Sequence, residues 1–75
     1  MVSMPLSMVK EGEANTIVKI GGKEETKQFL ERLGFIVGTQ VTVISMINGN
    51  MILRVKDARV AIGKEMATKI MVVAA

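Results

Sequence analysis

Seventy-five residues carrying a formal charge of +3 allow one domain with one core, and a chain this short buries only about 60% of the surface it exposes when unfolded. The sequence contains no His, Cys, Trp or Tyr, and Phe29 and Phe35 are its only aromatic residues. That composition removes disulfide frameworks, thiolate metal sites and thiol nucleophiles, along with the commonest metal ligand and the usual general base near neutral pH, so it points to a binding module and away from an enzyme.

Glycines divide the chain into short elements. Ala14 to Ile20, with β-branched Thr16, Ile17 and Val18 ahead of the Gly21-Gly22 pair, is predicted as a strand. Lys23 to Leu33 is the one convincing helix. Glu24 and Glu25 fall in its first turn, where they complement the helix dipole, and Gly34 stands where a left-handed cap is wanted. Phe29, Leu30 and Leu33 form its apolar stripe, which must dock on a sheet because a helix this short is marginal alone.

Val41 to Ile47 is the second strand, Asn48-Gly49-Asn50 the loop and Met51 to Val55 the returning strand. Asn-Gly favours a two-residue turn. The register argues against it: that turn sets Val43 opposite Arg54, and directly opposed residues share a face. A three-residue loop instead pairs Val43 with Val55, Ser45 with Leu53 and Ile47 with Met51. This register is expected, with Gly49 or Asn50 left-handed. Lys56-Asp57-Ala58 links tightly to a strand over Arg59 to Ile62, a short helical turn falls within Gly63 to Thr68, and Ile70 to Val73 is the closing strand. The expected fold is mainly β: a small closed or nearly closed barrel of five short strands, with one helix after the first strand and a helical turn before the last. Closure removes the edge strands that so apolar a chain would expose.

With its elements placed, the sequence resembles the FeoA family, small cytoplasmic proteins of bacterial ferrous iron transport. The likeness is carried by Met4-Pro5-Leu6-Ser7, by Ile17-Val18-Lys19-Ile20-Gly21, and most specifically by Leu30-Glu31-Arg32-Leu33-Gly34-Phe35-Ile36-Val37-Gly38-Thr39-Gln40-Val41-Thr42-Val43. Arg59-Val60-Ala61-Ile62, then Glu65, Ala67, Ile70 and Val72, extend it, so that it spans Met4 to Val73. Val37 stands where members commonly carry Pro. The resemblance implies one SH3-like domain over residues 1–75 with its core in 4–73. It also implies a non-enzymatic adaptor or regulator of ferrous iron uptake that docks on the cytosolic GTPase region of the membrane transporter FeoB. The alternative is an SH3-like regulatory domain of the metal-dependent repressor kind, binding a peptide or metal; the lack of DNA-binding helices and His ligands disfavours it. The residues that carry the likeness are themselves mostly structural. Gly34, Gly38, Gly49 and Gly63 are cap or turn positions, and Leu30, Leu33, Val41 and Val43 are core.

Candidate sites are few. Glu11 with Glu13 and Glu24 with Glu25 lack the spacing of a metal motif and are expected to be solvated, so neither a metal nor a cofactor is expected. On the hairpin, Thr42, Ile44 and Met46 should face outward beside Ile52, Arg54 and Lys56, an apolar cluster rimmed by bases of the kind that docks partners, the alternative being that Ile44 or Ile52 packs under the N-terminal segment or the helix. Ile44, Met46, Ile52, Arg54 and Lys56 are therefore the partner-interaction candidates. Weak self-association through that face is compatible with the same reading. Phe35-Ile36-Val37, between two glycines, is either an exposed partner-binding knob or a lid; the lid is favoured, with Phe29 and Phe35 filling one barrel end. Arg54, Lys56, Arg59 and Lys19 are ordinary surface charge, since no aromatic is spare to stack bases and nucleic acid is not an expected partner. The Ser and Thr hydroxyls have no base to activate them. No apolar run approaches the roughly 18 residues of a membrane span. The first ten residues lack the pattern of a secretory signal, so a cytoplasmic location without membrane insertion is expected. Met4 is a second candidate start, which would make Met1 to Ser3 an upstream addition.

Overall fold

The computed structural model describes residues 2–75. In chain order the elements are β1 (Met4–Pro5), a 3-10 turn (Leu6–Met8), β2 (Ala14–Ile20), α1 (Glu24–Arg32), β3 (Gln40–Ile47), β4 (Asn50–Val55), β5 (Ala58–Gly63), α2 (Lys64–Ala67) and β6 (Ile70–Ala74). All strand pairs are antiparallel, in the order β1-β6-β2-β3-β4-β5. The fold is the mainly β one expected, with one strand more. That strand, β1, pairs only Met4 with Val72 and Pro5 with Met71, too short a stretch to leave a periodic pattern in the sequence. The two ends of the sheet, β1 and β5, are bridged by α2, which packs on β5, β4 and the 3-10 turn. The barrel is nearly closed, with a helical turn along the seam.

The core is almost wholly aliphatic. Leu6, Ile17, Leu30, Met51, Leu53, Ile70 and Val72 are fully buried, and Phe35 is the one ring among them. The end of α1 explains how Phe35 gets there. Gly34 takes φ +105, the Gly34 N–H donates to the Glu31 carbonyl (3.0 Å) and the Phe35 N–H donates to the Leu30 carbonyl (3.0 Å). These two bonds are a Schellman motif, which brings the residue after the glycine onto the helix's last buried turn, here Phe35 onto Leu30. Phe29 does not join them. It is 45% exposed, against the expectation that both rings fill one barrel end. With 3.6 residues per turn, a helix that points Leu30 inward turns its predecessor onto the flank.

The hairpin corrects the expected register. Ile47 pairs with Asn50, so the loop is the two-residue Asn48-Gly49, with φ +49 and +79. Asn50 begins β4. Met46 faces Met51 and Ser45 faces Ile52, and then the register shifts, so that Val43 meets Leu53 and Val41 meets Val55. A β-bulge at Ile44 supplies the residue by which the two-residue loop was out of phase. Val43 thus avoids Arg54 and stays in the core, 1% exposed.

The bulge is held from outside the hairpin. β2 pairs with β3 only as far as Thr42, which leaves the rest of that edge of β3 without a strand neighbour. The Lys10–Glu13 turn covers it. The Gly12 N–H donates to the Val43 carbonyl (2.7 Å), and the Met46 N–H donates to Glu11 Oε2 (3.2 Å). Glu11 is therefore an edge cap and not merely a solvated acid.

Candidate functional site

With the bulge in place, the outward residues of β3, β4 and β5 fall in rows across the three strands. Thr42 lies opposite Arg54 and Arg54 opposite Arg59; Ser45 lies opposite Ile52 and Ile52 opposite Ala61. The expected cluster therefore separates. Ile52 and Arg54 stay on the outer face, the first half-buried and the second exposed. Ile44 sits half-buried at the bulge itself. Met46 is opposite fully buried Met51, so it belongs to the inner face at the barrel rim, where it is 40% exposed. The bulge reverses facing between Val43 and Ser45, and Ile47 takes the outward place near the tip. Lys56 lies on the two-residue loop between β4 and β5 with φ +57, a conformation unusual for a side chain other than Gly, Asn or Asp.

The Phe35–Val37 segment divides between the lid and the exposed alternative. Phe35 closes the core, whereas Ile36 and Val37 face solvent. With Val18, exposed where β2 bulges between Ile17 and Lys19, they line a depression of about 410 Å³ whose other walls are Lys19, Ile20, Lys27 and Glu31. This apolar opening between β2, α1 and the following loop was not singled out from the sequence. The bulge at Val18, which turns a β-branched residue outward, leaves no local signal. A second depression, about 300 Å³, lies across the start of β3 and is lined by Thr39, Gln40, Thr42, Arg54 and Lys56.

The glycines divide as well. Gly34, Gly38 and Gly49 all adopt positive φ, whereas Gly63 precedes α2 at φ −65, open to any residue. Among the described residues no three carboxylates come together as metal ligands. Glu24 and Glu25 sit exposed in the first turn of α1, and no helix among the described residues is long and apolar enough to cross a membrane.

A curled antiparallel sheet with one capped helix, and a surface divided between an apolar opening and a basic row, defines a small SH3-like domain. Residues 4–74 match the FeoA domain model. A protein of Methanocaldococcus jannaschii named Fe(2+) transport protein A is 38% identical over 68 residues, 91% of this chain and 83% of that one. The chain belongs to the FeoA domain family. A crystal structure of an iron uptake regulatory protein, FeoA, superposes over the whole of both chains with a TM-score of 0.92 at 31% identity. The same fold recurs in a FeoA-like protein of Clostridium acetobutylicum (TM-score 0.89, 16% identity, 99% of this chain and 88% of that one). It recurs again in a manganese-dependent transcriptional repressor (TM-score 0.89, 18% identity, 97% of this chain and 42% of that one).

Proposed function

We propose that this chain is a non-enzymatic cytoplasmic module of ferrous iron uptake that acts by docking on the cytosolic GTPase region of a FeoB-type transporter. Its kinship with proteins named for Fe(2+) transport and for iron uptake regulation supports the pathway. The observation that carries a docking role is the opening where Val18, Ile36 and Val37 lie exposed together on a chain with few ligands for iron. Ferrous iron prefers imidazole, thiolate and carboxylate donors, and the first two are missing from this sequence. An effect on iron is thus best exerted through a partner. The lysines at positions 19 and 27 beside the opening suit a partner surface with acidic residues around an apolar centre. Ile44, Ile52, Arg54 and Lys56 form the second candidate surface, and Met46 the rim beside it.

A backbone-amide NMR titration with the soluble GTPase region, with and without nucleotide, tests the reading. Shifts centred on Val18, Lys19, Ile36 and Val37, lost in Val37→Asp, are expected. Shifts centred instead on Ile52 and Arg54 would move the interface to the hairpin, and a flat titration at high protein concentration would refute docking. The runner-up is a regulatory domain of the metal-dependent repressor kind, favoured by the shared fold; saturable metal binding by the isolated chain in calorimetry would support it.

A further inference from the structure

We infer that the depression lined by Thr39, Gln40, Thr42, Arg54 and Lys56 is an oxyanion site that takes a soluble phosphate group. The lining residues supply two hydroxyls, a carboxamide, a guanidinium and an ammonium, and no carboxylate. Every one of these can donate a hydrogen bond, and two are permanently cationic near neutral pH. A phosphate monoester presents three oxygens for such donors, more than the two of a carboxylate.

Two further features favour a ligand over ordinary surface charge. Arg54 stands directly opposite Thr42 on one side and Arg59 on the other. Like charges facing each other across a ladder repel, and an anion seated over Arg54 turns that repulsion into a paired arrangement. Lys56 holds φ +57 on a two-residue loop, a strained conformation that glycine would relieve. The lysine there keeps the second of the two lining cations at the pocket. The floor is firm, because Val41 and Val55 pair beneath this row and are 1% and 2% exposed. Thr42 and Arg54 are thus carried by rigid strands and not by a loop, as a preorganised site requires.

The test is a titration of the full chain with inorganic phosphate, followed by amide NMR, with sodium chloride at matched ionic strength and sodium acetate as parallel arms. Saturable low-millimolar shifts at Thr42, Arg54 and Lys56 with phosphate alone are expected. Arg54→Gln should weaken binding about tenfold, the loss typical of one charge-assisted hydrogen bond. Lys69→Gln, at the far end of β2 where the Lys69 carbonyl accepts from Gly21, removes the same charge and should leave binding unchanged. Equal shifts with chloride or acetate, or equal weakening in both variants, would reduce the pocket to general electrostatics and overturn the assignment. Co-sedimentation with phosphatidylglycerol vesicles without phosphate-induced shifts would overturn the soluble source in favour of a membrane surface.

Discussion

Replacing Gly34 by alanine should be among the costliest single-methyl changes in this chain. Two separate penalties arise. At φ +105 any Cβ is strained, which costs roughly 1–2 kcal/mol. A Cβ at this position would also lie 3.2 Å from Val55 Cγ1. Val55 is 2% exposed and sits in β4, paired to both Val41 and Ala58, so it cannot swing clear, and overpacking of this kind costs about 1–3 kcal/mol. Together Gly34→Ala should lose about 2–5 kcal/mol from a total that, for a domain of this size, is of order 4–11 kcal/mol. The midpoint of thermal unfolding should then fall by roughly 8–40 °C, at about 4–8 °C per kcal/mol. Gly38→Ala is the internal control, since Gly38 has φ +94 but nothing within 4 Å of its would-be Cβ; it should show the strain alone, about 1–2 kcal/mol. Paired urea unfolding curves measure the difference. If the two variants are equally destabilised, the Val55 contact contributes nothing and the reasoning fails. In the double variant Gly34→Ala/Val55→Ala, the coupling energy should recover the overpacking part.

Three further outcomes are expected. Phe35→Ala should cost about 3–5 kcal/mol and Phe29→Ala under about 1 kcal/mol, since only the first ring is buried; circular dichroism melts separate them. Glu11→Ala should raise the hydrogen-exchange rate of the Met46 amide and lower stability by up to about 1 kcal/mol, whereas Glu11→Gln, which keeps an acceptor oxygen, should preserve most of the protection. Lys56→Gly should be neutral or stabilising by up to about 1 kcal/mol in urea unfolding, because the strain at φ +57 is relieved while the chain gains only backbone entropy.

The legible parts of the fold were those whose signals lie within a few residues. Glu24, Glu25 and Gly34 marked the ends of α1, whose observed span of Glu24–Arg32 is within a residue of the expected one. β2 begins and ends at the expected residues, Ala14 and Ile20. The hairpin shows where locality fails. The preference of Asn48-Gly49 for a two-residue turn was a correct local signal, and the objection that Val43 would then oppose Arg54 was correct for a regular ladder. What the sequence of the hairpin does not carry is the bulge, whose exposed groups are met by Gly12 and Glu11, the latter 35 positions from Met46. The register shift between Val43 and Ser45 sets the facing of the rest of β3, and it turns Met46 to the side of Met51. Phe29 and Phe35 teach the same lesson. They are chemically identical, but the Schellman hydrogen bonds after Gly34 bury Phe35, while the helix phase that points Leu30 inward leaves Phe29 on the flank. Arg54 and Lys56 were legible as exposed bases, but their convergence with Thr39, Gln40 and Thr42 required the register.

The place of β6 in the sheet also bears on biosynthesis. β6 lies between β1 and β2, pairing Met4 with Val72 on one side and Ile17 with Val72 on the other. The first two strands made by the ribosome therefore have no common neighbour until the last stretch of this module has been translated. While the β3–β4–β5 meander can pair as it emerges, Met4–Pro5 must wait as an unmatched edge for the length of nearly the whole module. Completion of the barrel therefore waits on β6, and a nascent chain stalled before Ile70 would present the flank of β2 to whatever strand lies nearby.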